Sequence, residues 1–262
     1  GQASFKTDRE WSYSPFNSDN GGPLDNAKDF FTHPVPLHAQ QERRRYIVAR
    51  YGDHPAILCW KLFSEMNLTD MARNGVDGPA QMPLWHKNAF DAWRALDVYD
   101  HPVTSHWSGD YRTPYRELVA LPNMDFTAID AYHGRRNGNG RLLANIMYDS
   151  TLHKEYGLSK FNKPLVVTEF GASAGAGPEP QLIAEHMSGP WAALMSGHAS
   201  SPHLWWFEWT DQGDRWHPYR AIKNYLAGED FRSPDARCVF LEIKDQDTHS
   251  IWCRAWFKPN MI

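Results

Sequence analysis

Apolar residues follow two alternating rhythms along this chain. Short, nearly unbroken apolar runs end on a polar residue, and between them lie longer stretches with apolar positions three and four residues apart. The first kind predicts buried strands and the second amphipathic helices. Strands are expected at residues 56–63, 102–107, 126–132, 165–170 and 203–209. Helices are expected at 40–51, with Tyr46, Ile47, Arg50 and Tyr51 on one face and Gly52 as the stop, and at 84–99, with Phe90, Trp93, Ala95 and Leu96 inward. Further helices are expected at 115–120, 141–156, 181–195 and 219–227, the last closed by Gly228. Residues 1–39 hold Pro15 and the run Asn20-Gly21-Gly22-Pro23, which predicts a long, turn-rich loop carrying Trp11, Tyr13 and Phe16.

Strands separated by helices at this spacing predict a parallel sheet with right-handed crossovers. Polar and aromatic chemistry collects just after each expected strand or at its end: Glu65, His106-Trp107, Tyr132-His133, Glu169, and the run from Trp205 to Trp209. A doubly wound sheet would concentrate such residues at one switch point. Rich chemistry at many strand C-terminal ends marks a (β/α)8 barrel instead. The expected fold class is therefore α/β, a TIM barrel present in part, because only five strands are predicted. Residues 1–230 form the expected barrel portion, and 231–262 the start of a C-terminal β-domain or a terminal hairpin.

Composition narrows the function. The chain has 262 residues, enough for one α/β domain, and a net charge of −4 without a long basic run, which argues against a nucleic-acid partner. No apolar run is long enough to cross a membrane. Aromatic residues make up 14%, with 12 Trp; most belong in a core, and the remainder suit flat platforms for sugar C–H groups. The 13 His show no metal-ligand spacing, so neither a metal nor another cofactor is expected. Cys59 lies in an apolar run and reads as a core thiol. Cys238 and Cys253 flank a predicted hairpin turn and are placed to face each other, bridged in an oxidising compartment or, by default, free.

Two strings, WKLFSEMN and LVVTEFGAS, carry the sharpest signal: each is an apolar run that stops on a glutamate. Two carboxyl groups about 5–5.5 Å apart are the equipment for retaining cleavage of a glycosidic bond. The other reading of Glu65 and Glu169 is a pair of strand-end salt-bridge partners. Glu208 is a third acid, either a sugar-hydroxyl ligand or a partner for an arginine. His106 and His133 are either donors to substrate hydroxyls or structural histidines.

The segments SPFNSDNGGPLDNAKDFFT, RRYIVARYGDHPAILCWKLFSEMN, LPNMDFTAIDAYHG, KPLVVTEFGAS and HLWWFEWT together resemble the retaining glycoside hydrolases of the cellulase/mannanase superfamily, in particular the family 5-like cellulase group. The resemblance implies that strands four to eight are present and the first three absent from this sequence. It implies Glu65 as general acid/base, Glu169 as nucleophile, Tyr132 as hydrogen-bond partner of the nucleophile, and Trp205 or Trp206 as the floor of a sugar subsite. Ser64 stands where the family has an Asn that holds the sugar 2-hydroxyl, and Lys61 where it has a Glu. These departures keep open a second reading, a catalytically inactive carbohydrate-binding barrel, and the three absent strands a third, an incomplete fragment. The substrate-contacting set is thus Ser64, His106, Trp107, Tyr132, His133, Trp205, Trp206 and Glu208, and the partner a β-linked carbohydrate. An incomplete barrel is expected to self-associate through its open edge. Secretion is implied by the resemblance alone, because the N-terminus has no signal-peptide pattern.

Overall fold

A computed structural model describes residues 10–74, 78–107, 115–132, 143–171, 177–229, 231, 235–244 and 250–258. The chain divides into two compact units, one comprising 1–108 and 115–127, the other 109–114 and 128–262.

In the first unit, the stretch expected to be loop contains two 3-10 helices, Ser18–Asn20 and Ala27–Phe31, and the start of a long helix. Asn17 caps the first through its side chain, and Gly21 closes it in the left-handed region at φ 83°. Helix α1, Pro34–Tyr51, begins six residues before the expected start. Pro34 opens it and His33 Nδ1 accepts the Val35 amide, a starting signal that hydrophobic spacing does not carry. Its buried residues are Pro36 and Val48; of the expected face Ile47 packs against the core, whereas Tyr46 and Tyr51 are exposed. Strand β1 is only Trp60–Lys61, because the chain still turns at residues 54–57, where Ile57 N donates to His54 O.

Helix α2, Asp70–Asn74, precedes α3, Gly78–Leu96, whose buried residues include Met82, His86, Ala89, Phe90 and Trp93, while Ala95 is exposed. Strand β2, Val103–Thr104, pairs parallel with β1 in the register Trp60 to Val103, and β3, His106–Trp107, follows. The expected single strand at 102–107 is therefore interrupted at Ser105. Helix α4, Arg116–Val119, closes the unit. Its core joins Val48, Trp60, Phe90, Trp93, Val103, Leu118 and Met124, and a second cluster joins Phe31, Met66, Met71 and Met82.

The second unit takes over along β4, Thr127–Tyr132, with β5, Leu165–Gly171, as its hydrogen-bonded neighbour. Between them lie α5, Leu143–Leu152, and a 3-10 turn, Leu158–Phe161. Helix α6, Glu179–Met195, packs against α5. The strand expected at 203–209 is a correction: only Leu204 bridges Phe170, and α7, Phe207–Gln212, starts at once. Trp205 N bonds Phe170 O, after which Trp206 O accepts Thr210 N and the chain is helical. Helix α8, His217–Leu226, ends before Gly228, which takes φ 84°.

The predicted hairpin is present as β6, Arg237–Lys244, and β7, Ser250–Phe257. Its register sets Cys238 opposite Trp256 and Cys253 opposite Leu241. The two cysteines are thus three positions out of register, too far apart along the strands for a disulfide. Cys238 is a free thiol that donates to Met195 O, and Cys59 is free as well. No helix among the described residues is long and apolar enough to cross a membrane.

Candidate active site

In the first unit the site residues follow β1. Leu62 N bonds Thr104 O at 2.8 Å, Phe63 O accepts His106 N at 3.3 Å, and Ser105 Oγ lies 3.3 Å from the same carbonyl. The chain then turns sharply. Ser64 is exposed, and Glu65, half-buried, sits at φ 54°, ψ 49°. A left-handed conformation costs a side-chain-bearing residue roughly 1–2 kcal/mol, so the surroundings must impose it. The Glu65 carbonyl accepts Leu68 N at 2.9 Å, starting the 3-10 turn Met66–Leu68, and Met66 is fully buried beneath. His106 is buried on β3. The side chain of Trp107 lies outside the described residues, as does all of His133.

A buried relay supports this turn. His86 Nδ1 lies 2.7 Å from Met82 O and Nε2 2.9 Å from Ser105 Oγ. A carbonyl only accepts, so Nδ1 carries the proton and the bare Nε2 of a neutral ring accepts the Ser105 hydroxyl. Burial, partly offset by the Met82 carbonyl, pushes His86 down to about 4, so the ring is neutral near pH 7.

In the second unit Tyr132 ends β4 and Glu169 lies near the end of β5. The Tyr132 hydroxyl donates to Glu169 Oε2 at 2.8 Å. One level lower, Thr168 Oγ1 donates between Asp130 Oδ1 at 2.9 Å and Ile129 O at 3.1 Å. Along β5, Leu165 and Val167 are buried and Val166 and Thr168 half-buried, a regular pleat. Glu169 is half-buried too, and Phe170 and Gly171 are buried. Gly171 takes φ 148°, which favours glycine, and a Cβ there would come 3.7 Å from Glu185 Oε2. Glu185 is a buried acid on α6 whose Oε1 accepts Gln181 Nε2 at 2.9 Å.

Trp205 and Trp206 are half-buried where the chain leaves its bridge to Phe170. Glu208 is exposed on α7. The arginine in that neighbourhood, Arg215, pairs with Glu179 at 3.3 Å and lies 4.0 Å over the Trp209 ring instead.

Of the expected residues, then, Ser64, Glu65 and His106 share the first unit, and Tyr132, Glu169, Trp205, Trp206 and Glu208 the second. Tyr132 and Glu169 are in direct contact. Asp130, Thr168, His86 and Ser105 escaped the sequence reading. The signal for the first two was present as a hydroxyl residue immediately before the strand-end Glu and an acid two residues before the Tyr. His86, one polar position within a helix, gave none.

No protein-family model matches the chain, and no curated protein matches it. Solved structures do. GH5_18 from Streptomyces cattleya, in complex with Manβ1-4GlcNAc, is 18% identical over 70% of this chain and 47% of its own, with a TM-score of 0.55. The endo-β-1,4-mannanase from Thermotoga petrophila is 15% identical over 71% of this chain and 44% of its own, with a TM-score of 0.50. A β-glucuronidase from Bifidobacterium dentium is 19% identical over 67% and 28%, with a TM-score of 0.49. The chain thus spans 28% to 47% of the length of these matches. The first two establish the fold: the chain is α/β and carries part of a (β/α)8 barrel, followed by a short C-terminal β-hairpin.

Proposed function

We propose that this chain belongs to a retaining glycoside hydrolase that cleaves β-linked polysaccharides or oligosaccharides, with Glu169 as nucleophile and Glu65 as general acid/base. The observation that carries the reading is the 2.8 Å hydrogen bond from Tyr132 to Glu169. It holds the carboxylate in one orientation, and a donor to a carboxylate favours the ionised form that attack requires. In the first step a Glu169 oxygen bonds the anomeric carbon as the aglycone oxygen leaves with the proton of Glu65. In the second, Glu65 takes a proton from water, which displaces Glu169 from the sugar. The left-handed backbone of Glu65 agrees with a functional role, because such strain gathers where a side chain must be aimed. His106, Trp107, His133, Trp205, Trp206 and Glu208 are the proposed sugar contacts.

Ser64 is exposed at the position where the family resemblance expects Asn, and it favours the second reading, an inactive binding barrel. Intact-mass analysis after incubation with 2-deoxy-2-fluoro glycosides tests the first. An adduct that maps to Glu169 and is lost in Glu169→Gln supports retention. A folded chain that stays unlabelled by gluco, manno and galacto probes yet binds β-glycans favours the second. Secretion and self-association belong to the same proposal. Sedimentation velocity reads the latter, and a single monomeric boundary would count against it.

A further inference from the structure

The strands that carry Tyr132 and Glu169 are tied by side chains at two successive levels. The upper tie is the phenol–carboxylate bond itself. The lower one joins Thr168, immediately before Glu169, to Asp130, on the same strand face as Tyr132 and two residues earlier. Asp130 is 1% exposed. An acid so deep in a strand is expensive unless it is hydrogen-bonded, and an apolar residue would fill the same space without that cost. Thr168 and Glu169 are both half-buried, so burial alone does not decide which side chain meets the Tyr132 hydroxyl, and the side-chain ties do.

We propose that Asp130 and Thr168 are positioning residues for Glu169: their hydrogen bond fixes β5 against β4 so that the Glu169 carboxylate meets the Tyr132 hydroxyl. The hydroxyl of Thr168 has one proton to share between two acceptors, the nearer of them a carboxylate oxygen. A residue at 168 without a hydroxyl abolishes the tie, and serine preserves it. The consequence for turnover rests on the reading of Glu169 as nucleophile, whereas the positioning itself does not.

The test separates the two. The full chain is labelled with tyrosine carrying 13C at Cζ, and the Tyr132 resonance is assigned by its loss in Tyr132→Phe. In Thr168→Val, and in Thr168→Ala, which cannot crowd the site, the Tyr132 signal should move toward that of a solvated tyrosine, while Thr168→Ser leaves it in place. If the chain turns over substrate, kcat should fall on the order of 10- to 100-fold in Thr168→Val with KM little changed, and recover in Thr168→Ser. An unmoved Tyr132 signal in folded Thr168→Val and Thr168→Ala overturns the proposal. A signal that moves in a chain that never labels with fluoroglycosides upholds the positioning and sinks only the glycosidase reading.

Discussion

Glu65 shows how a single residue can be pulled two ways. Its side chain is the proposed acid, while its backbone, at φ 54°, occupies a region that only glycine enters freely. Replacing Glu65 with Gly removes the roughly 1–2 kcal/mol left-handed penalty but adds roughly 0.5–1 kcal/mol of chain entropy. Glu65→Gly should therefore melt at the wild-type temperature or slightly above it, whereas the β-branched Glu65→Val should melt lower. If Glu65 is the acid, Glu65→Gly should also lose turnover on substrates with poor leaving groups. Azide should restore turnover only of activated aryl glycosides, whose aglycone leaves unprotonated and whose glycosyl-enzyme azide attacks in place of base-assisted water. A lower melting temperature for Glu65→Gly than for Glu65→Val would show that the strain is not real. On the second unit, Tyr132→Phe should keep the fold and slow turnover, since it deletes one hydroxyl from a half-buried pair. These residues were legible in the sequence because each ends an apolar run. Their conformation was not: nothing in SEMN announces a left-handed glutamate.

At the scale of elements, the sequence placed most helices and strands but not their ends. Two errors have the same cause, since unbroken apolarity does not distinguish strand from turn or short helix. Residues 56–59 are apolar yet lie outside any strand, and WWFEW is apolar yet enters a helix. What anchors the short β1 is instead a polar contact. Trp60 Nε1 donates to Asp97 Oδ2 at 2.8 Å, and the same carboxylate takes the His101 amide and Nδ1 at 3.1 and 2.9 Å and, through Oδ1, the Tyr99 amide at 3.1 Å. Burial pushes the Asp97 pKa up, but the donors from Trp60, His101 and Tyr99 outweigh it, and the pKa ends below the ordinary value. Asp97→Ala leaves a buried indole N–H and the loop amides without their acceptor, at a cost of about 1–3 kcal/mol for each buried group left unsatisfied. Asp97→Asn, which keeps an acceptor, should lose less. Urea unfolding followed by Trp fluorescence measures both, and equal stability of Asp97→Ala and wild type would refute the anchoring role. Because the folded-state pKa is depressed, the stabilisation from Asp97 is present above the unfolded pKa, near 3.8, and is lost as pH falls through the lower folded value.

At the scale of the whole molecule, both units bury histidines, among them His86 in the first and His198 in the second. His198 Nε2 lies 2.8 Å from Met147 O and 3.3 Å from Ser150 Oγ. Since the carbonyl must accept, Nε2–H donates there. Burial, only partly offset by a backbone carbonyl in each case, pushes both rings down to about 4 from an ordinary 6.5. Both are bases held neutral by the fold, so the unfolded chain binds more protons than the folded one between those two values. Their contribution is complete above pH 6.5, declines as pH falls toward 4, and changes no further below it. At 1.36 kcal/mol per pH unit the loss is on the order of 3 kcal/mol per histidine. Melting temperature should therefore drop steeply from pH 6.5 to 4, well above the range where Asp97 acts. His86→Gln retains a donor for Met82 O and an acceptor for Ser105 without a titrating ring, so it should flatten the drop by the share of the first unit. A thermal melt at half-unit pH steps decides the matter. If His86→Gln declines in parallel with wild type, the ring is not the group that makes this unit acid-sensitive, and the neutral relay beneath the Glu65 turn loses its physical basis.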